Sequence, residues 1–299
     1  MDNTPTFKDY FKLHAVILVW GFTGILGKVI SISSVSIVWY RTLIAVVSLG
    51  VFMYFRNNSF KLSLKTLGQY LGVGVIVALH WVFFFEALKV STVSVTLATL
   101  ASATLFTSLL EPLFFRKKIV AYEIIFGLVV IGGLLLIFSF ETKYQLGIMY
   151  SLFSAFCASL FTTLNGIFVS KGGSSTQITM YEMLGAVVII TIYLAAIGQI
   201  NMETLGLMNN GMESFYLDLI YLLILGVICT SIAFVISVDV MKKLSPFTVS
   251  ISINMEPIYA IILALLFFGE SERMSWGFYV GAAMVMSTIF GNGLMKKLK

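Results

Sequence analysis

Long apolar runs, each of about the length that crosses a bilayer, dominate this sequence and decide what it can fold into. Hydrophobic residue types make up 59% of the chain and charged types only 11%, whereas a soluble domain carries roughly a quarter charged residues. A soluble fold could not cover this much apolar surface, so lipid must be the solvent for most of it. Only helices and closed barrels satisfy their backbone polar groups in lipid. Because the runs lack the alternation of strands, the sequence predicts an all-α integral membrane protein.

Ten such runs are present, with short connections between them, and each approaches the roughly 20 apolar residues that a spanning helix needs. The first run follows a polar start and lacks a small-residue cleavage pattern, so we interpret it as a retained span and not as a signal peptide. The predicted spans are residues 12–30, 35–55, 67–88, 92–115, 121–139, 146–169, 176–199, 215–241, 246–268 and 275–295.

Basic residues concentrate on one side of this predicted topology. With the N-terminus inside, 14 Lys and Arg residues fall in the inside segments and 4 in the outside segments, while Arg41 lies within a span. Lys and Arg are enriched in cytoplasmic loops, so we expect both termini on the cytoplasmic side of the cell membrane, inner or plasma. Orientation then explains the net charge of +5, and no nucleic-acid partner is expected.

The two halves of the sequence resemble each other at a nearly constant spacing. Residues 37–41 match 178–182 at an offset of 141, and residues 89–91 match 243–245 at an offset of 154. The offset grows across residues 200–214, which we expect to form a longer outside loop. Five spans per half make the second half enter from the opposite side, so we predict inverted repeats over residues 1–143 and 144–299. Such repeats commonly build alternating access, although a duplication can also simply enlarge a bundle.

Short motifs inside the spans point to a family. The first span carries Trp20-Gly21-Phe22, the second carries Trp39-Tyr40-Arg41, and the ninth carries Glu256-Pro257. This set resembles the drug/metabolite transporter superfamily, EamA type. The resemblance implies ten helices in two halves around a central cavity, and a carrier that moves amino acids, other metabolites or drugs, often outward. The partners it implies are a small-molecule solute, the lipid bilayer and, where transport is coupled, a proton; it does not imply an oligomer.

Polar side chains within the spans are the candidate solute-binding residues, because charge at membrane depth costs at least about 2.5–3.5 kcal/mol. Glu256, near the middle of span nine, is either a protonatable or solute-contacting acid or a hydrogen-bonded group that joins helices. Pro257 beside it and Pro112 in span four are the candidate helix-distorting residues. The other polar candidates either line a cavity or pack between helices. The full candidate solute-binding set is His80, Trp81, Ser102, Thr104, Thr162, Asn165, Asn254 and Glu256.

Three further charged residues, Arg41, Glu86 and Glu182, are candidates for ion pairs that close the two ends of a transport path. Arg41 lies about two turns below the predicted outer surface, and Glu86 lies near the outer end of span three, so the two could form an outer ion pair. Glu182 occupies the position equivalent to Arg41 near the inner surface, where Lys242 or Lys243 could serve it. Opposed ion pairs at the two mouths would suit gating, while snorkelling of these side chains to the interface is the alternative.

Catalytic and metal-binding patterns do not occur in the sequence. It contains two histidines and no HExxH or GxSxG motif, and Cys157 and Cys229 lie inside apolar runs that suggest packing and not a disulfide or a zinc site. We therefore expect no enzyme, no cofactor and no metal site. A channel would show an oligomeric pore with a repeated filter, which an inverted repeat does not suggest. A lipid or amphiphile flippase, or a non-transporting membrane scaffold, is the alternative to a metabolite transporter.

Overall fold

The computed structural model describes residues 5–118, 120–140, 142–198, 211–272 and 274–297. Within these ranges the regular elements are helices and no strand occurs, which confirms the predicted all-α class. Most of the predicted outside loop, Arg273 and Lys299 lie outside the described residues. Eight segments are long and apolar enough to cross a membrane: Phe7–Val29, Ser34–Phe55, Leu64–Val90, Val93–Phe115, Thr142–Ser170, Ser175–Ala196, Ser214–Val240 and Pro246–Phe268.

The helices follow one another with short connections, as the apolar runs predict. Short 3₁₀ turns at Thr142–Tyr144 and Gly269–Glu272 lead into or follow longer helices, and a π-helical segment at Ile224–Ile232 joins two of them. The α-helices are α1 (Phe7–Val29), α2 (Ser34–Phe55), α3 (Leu64–Val90), α4 (Val93–Leu100), α5 (Ala103–Phe115), α6 (Ala121–Phe140), α7 (Gln145–Ser170), α8 (Ser175–Ala196), α9 (Gly211–Leu223), α10 (Ala233–Val240), α11 (Pro246–Ile253), α12 (Glu256–Phe268) and α13 (Trp276–Lys297).

Two of the predicted spans are interrupted at corresponding places. Each consists of an 8-residue helix followed by a 13-residue helix, α4 with α5 in the first half and α11 with α12 in the second. Each pair also begins with a capping hydroxyl, since Val95 N donates to Thr92 Oγ1 and Thr248 N donates to Ser245 Oγ. The two interruptions, at Ala101–Ser102 and Asn254–Met255, lie well inside their predicted spans.

The two prolines that we predicted to distort helices differ in their relation to these breaks. Pro257 is the second residue of α12, directly after the break at Asn254 and Met255, a position where proline fits a helix start; its side chain lies outside the described residues. Pro112 lies inside α5, which continues past it. The break of this span lies at Ala101 and Ser102 and not at Pro112, so the distortion expected of Pro112 stays a prediction.

Close helix packing frames the centre of the molecule. Helix α3 packs along α7 and α8, helix α2 packs along α8 and the π-helical segment, and α6 packs along α13. Small residues permit the closest of these contacts: a Cβ on Gly133 would lie 2.6 Å from the carbonyl oxygen of Gly281, so the α6 and α13 backbones nearly touch. Helices α1, α2, α3 and α7 and the two interrupted helices enclose a central space.

Candidate functional site

A cavity lies near the middle of the helices, between the two halves of the chain. The space free of atoms in it is about 920 Å³, which includes solvent at its open side. The centre of a water-sized sphere can occupy about 90 Å³ of that space. Its walls come from α1 to α5 in the first half and from α7, α10, α11 and the start of α12 in the second.

Arg41 of α2 is the cation of this cavity. Its side chain is 1% exposed, and its Nε and Nη2 donate to Thr230 Oγ1 at 3.0 and 2.8 Å. Thr230 can accept both bonds because its own hydroxyl donates to the carbonyl of Leu225, five residues earlier in the π-helical segment. The Arg41 guanidinium also lies over the indole of Trp81, and among the described residues its Nη1 has no hydrogen-bond partner. Nη1 is therefore a free donor beside the cavity.

Glu256 is the acid of the cavity and begins α12. Its side chain is 6% exposed and lines the cavity, and no hydrogen bond or ion pair joins it to another described residue. Asn254, two residues earlier in the break, also lines the cavity, and its Nδ2 has no partner in the described part of the chain. The interrupted helix thus presents an acceptor and a donor to the same cavity.

His80 of α3 is held in place by α7. Its Nδ1 lies 2.9 Å from the carbonyl oxygen of Ser154, and Ser154 Oγ donates to the carbonyl oxygen of His80. Because a carbonyl oxygen only accepts, this arrangement requires the hydrogen on Nδ1. The ring therefore lines the cavity in a fixed orientation, beside Trp81.

Asn165 and Thr162 of α7 line the cavity from the second half. The Asn165 Nδ2 donates to Glu182 Oε2 over 3.3 Å, and its Oδ1 has no partner among the residues the structure describes. Glu182 itself does not line the cavity and lies behind Asn165, 0% exposed, on α8.

Six of the eight candidate solute-binding residues therefore line one cavity, and two do not. Ser102 and Thr104 are buried away from it, while Ala101 and Ala103 line it instead. Ala101 and Ser102 form the turn between α4 and α5, so regular helical spacing does not fix which side chains face inward there. The expectation that Ser102 and Thr104 line the cavity is therefore wrong.

The predicted ion pairs are also wrong in this structure. Among the described residues, no carboxylate lies within ion-pair distance of Arg41, so the pair with Glu86 is not formed. On the other side Lys242 pairs with Asp239 at 2.5 Å and Lys243 pairs with Asp9 at 3.2 Å. Glu182 bonds to Asn165 instead, because Lys242 and Lys243 pair with half-buried carboxylates near the ends of α10 and α1, whereas Glu182 is 0% exposed inside the molecule.

Aromatic side chains complete the cavity wall, and the sequence did not single most of them out as site residues. Trp20 donates its Nε1 to the carbonyl oxygen of Cys229 at 2.9 Å and so faces the cavity in a fixed position. Phe84, Phe161 and Phe234 line the same space, and Phe161 packs on His80 with a centroid distance of 5.4 Å. The chain contains 26 phenylalanines, so no sequence signal separates these three from those that face lipid. Trp20 could have been identified from the sequence, because it belongs to the Trp20-Gly21-Phe22 motif of the first span.

Comparisons with known proteins agree with this architecture. The family model of the EamA-like transporter family matches residues 10–139 and again residues 145–294. The uncharacterized transporter YxxF of Bacillus subtilis (strain 168) is 23% identical over 285 residues, 90% of this chain and 86% of that protein. A crystal structure of a protein with 13% sequence identity has the same fold, with a TM-score of 0.70 over 98% of this chain and 99% of that chain. The chain is an integral membrane protein that belongs to the EamA-like transporter family.

Proposed function

We propose that this protein is a secondary transporter that moves a small metabolite, an amino acid or a similar solute, across the cell membrane by alternating access. The observation that carries the proposal is the set of unpartnered polar groups around one cavity. Arg41 Nη1 and Asn254 Nδ2 are free donors, and the Glu256 carboxylate is a free acceptor, within the part of the chain that is described. Buried polar groups are nearly always hydrogen-bonded in proteins, so a solute with both acidic and basic groups would satisfy all three.

The aromatic wall supports the same class of solute. Trp81 and Trp20 face the cavity together with three phenylalanines, and such rings bury apolar surface efficiently. The cavity therefore suits a solute that joins a charged or zwitterionic end to an apolar part. We propose export as the direction, on the strength of the family resemblance, and a proton as the coupling ion, with Glu256 as its first candidate carrier.

The inverted repeat is part of this proposal. We propose ten spans in two five-helix units, residues 1–143 and 144–299, with both termini in the cytoplasm. Three observations support it: the family model matches twice along the chain, both halves contribute to the cavity, and the breaks of α4–α5 and α11–α12 recur at the same place in each half. Two copies of one unit that rock about a central site provide alternating access.

The test begins with solute binding and ends with flux. Purified protein is melted in the presence of a panel of amino acids and related metabolites, since a ligand at 100 times its Kd adds about 2.7 kcal/mol of stability. Any ligand found is then assayed for flux in proteoliposomes, with a fluorescent-lipid translocation assay alongside it. We expect solute flux without lipid translocation. Lipid translocation alone would favour the flippase, and neither activity would favour the scaffold.

A pair of tryptophan variants makes the binding test specific to the cavity. Trp81 is 6% exposed in the cavity wall, whereas Trp276 is 68% exposed on α13 and packs edge-to-face against Phe140. We expect Trp81→Phe to weaken binding of the solute and Trp276→Phe to leave it unchanged. Equal effects of the two substitutions would place the solute site elsewhere.

A further inference from the structure

Glu182 lies in a sealed position between three helices. Its side chain is 0% exposed on α8, where glycines let helix α3 approach the α8 backbone: a Cβ on Gly74 would lie 2.9 Å from the carbonyl carbon of Glu182, and one on Gly185 would lie 2.8 Å from the Cα of Leu71. The third side is closed by α7 through Asn165. The buried Glu182 side chain therefore has no access to the surface, and Asn165 is its hydrogen-bond partner among the described residues.

The carboxyl group has fewer partners than a buried charge needs. Its Oε2 accepts one hydrogen bond from Asn165, while its Oε1 has no partner among the described residues. One turn away, Thr179 Oγ1 is also buried and unpartnered within the described ranges. An ionised carboxylate offers about four acceptor sites, and a buried charge without a counter-ion costs several kcal/mol. The neutral, protonated acid fits this environment better.

No cation on the neighbouring helices supplies that counter-ion in the described structure. On α3, the titratable group that interacts electrostatically with Glu182 is Tyr70, which is not a cation. From α2, Arg41 is bound to Thr230. Beside the start of α8, Asp239 accepts from Ser175, and Lys242 pairs with that same Asp239.

Asn165 connects this acid to the cavity. Its amide has a donor end and an acceptor end, and an ionised Glu182 can only accept, which requires Nδ2 toward Glu182 and leaves Oδ1 unpartnered. A protonated Glu182 can instead donate its O–H to Asn165 Oδ1, once the amide has turned over, and Nδ2 is then released. One proton is bound and one hydrogen bond is exchanged for another, in the opposite direction. The Asn165 amide, which lines the cavity, can therefore take either of two orientations.

We propose that Glu182 is a proton-binding site whose occupancy decides which end of the Asn165 amide is available to a solute in the cavity. With the proton bound, Asn165 offers a donor; with the proton released, it offers an acceptor. The proposal rests on the proposed transport function for its consequence, a solute affinity that depends on pH. Glu182 acts here as a positioning residue, because it reaches the solute only through Asn165.

Infrared spectroscopy of the purified full-length protein tests the proton site without any solute. We expect a carbonyl stretching band of a protonated carboxylic acid near neutral pH that Glu182→Gln removes. Because Asn165 is the hydrogen-bond partner, Asn165→Ala should shift the same band. The control is Glu86→Gln, a half-buried glutamate near the predicted outer end of α3 without a described ion-pair partner, which should leave the band in place. Glu182→Gln that removes no protonated-acid band, or a Glu182 band that Asn165→Ala does not shift, overturns the proposal.

A pH series of solute binding tests the consequence, with the solute identified by the thermal screen. Wild-type protein should change its Kd at least about tenfold between an acidic and an alkaline pH, and Glu182→Gln should show a flat profile while still binding. If Glu182→Gln does not fold, the Asn165→Ala arm of the infrared experiment decides alone. If no solute is found, the proposed transport function fails, while the infrared result for Glu182 still stands. If a solute is found and its pH profile is unchanged in Glu182→Gln, the proposed role of Glu182 is wrong, while the transport function is still supported.

Discussion

The guanidinium carbon of Arg41 lies 3.8 Å from the centroid of the Trp81 ring. This stacking joins α2 to α3 at the edge of the cavity, while the bonds from Arg41 to Thr230 join α2 to the π-helical segment. Arginine suits both contacts because its guanidinium is planar and its donors are forked. One side chain therefore connects the two halves of the chain and leaves Nη1 free beside the cavity.

A double-mutant cycle should detect this stacking. We expect Arg41→Met and Trp81→Leu to be coupled by about 0.5–2 kcal/mol in unfolding free energy, the range of cation–π pairs from exposed to desolvated sites. The measurement is reversible unfolding in mixed micelles for the two single variants and the double variant. Arg41→Met combined with Trp276→Leu is the control, because Trp276 lies on α13 at the exposed surface. Additive losses in the first cycle would contradict the contact.

The Glu256 carboxylate should matter for its charge and not for its shape. Glu256→Gln preserves the size of the side chain and should keep the fold, but we expect solute flux to fall at least tenfold or to lose its pH dependence. The physical reason is that Glu256 lines the cavity and has no hydrogen-bond partner among the described residues, so its charge is available to a proton or a cationic solute group.

The same experiment distinguishes a structural role for Glu256. Flux in proteoliposomes is measured over a pH series, with a melting curve for each variant. Wild-type flux with an unchanged pH profile in Glu256→Gln, together with a lower melting temperature in Glu256→Leu, would mean that the residue only joins helices.

Two glycines of α3, two residues apart and therefore on opposite faces of the helix, should respond oppositely to alanine. A Cβ on Gly74 would press on the backbone of Glu182 and Ala186, whereas a Cβ on Gly72 would meet nothing within 4 Å. We expect Gly74→Ala to cost about 1–3 kcal/mol, as overpacking does, and Gly72→Ala to gain up to about 1 kcal/mol from helix propensity. Thermal melting in one detergent compares the two directly. Equal melting temperatures would show that α3 and α8 are not in backbone contact.

The proposed topology has a direct test in reporter fusions. Because Lys and Arg favour the inside segments by 14 to 4, we expect both termini in the cytoplasm. A reporter fused after Lys299 and a reporter inserted in residues 200–214 should then report opposite sides of the membrane. Reports from the same side would reject the ten-span arrangement.

Much of the fold could be predicted because an apolar run is a local property. The third predicted span, residues 67–88, corresponds to α3 at Leu64–Val90, and the fifth, 121–139, corresponds to α6 at Ala121–Phe140. Lipid demands about 20 apolar residues per crossing and satisfies no backbone group, so composition within each run is sufficient to identify a helix. The same reasoning explains why polar residues inside the runs, such as His80 and Asn165, were sound candidates for the cavity wall.

What the sequence determined by itself is which segments are helices and which polar residues are buried in them. Which groups meet was decided only by the tertiary structure: Arg41 bonds to Thr230 and not to Glu86, and Glu182 bonds to Asn165 and not to Lys242. The reason is rotational. A side chain's partner depends on how each helix is rotated about its axis. The break at Ala101 and the π-helical segment both change that rotation within a span, and neither contains a proline that would have indicated the change in the sequence.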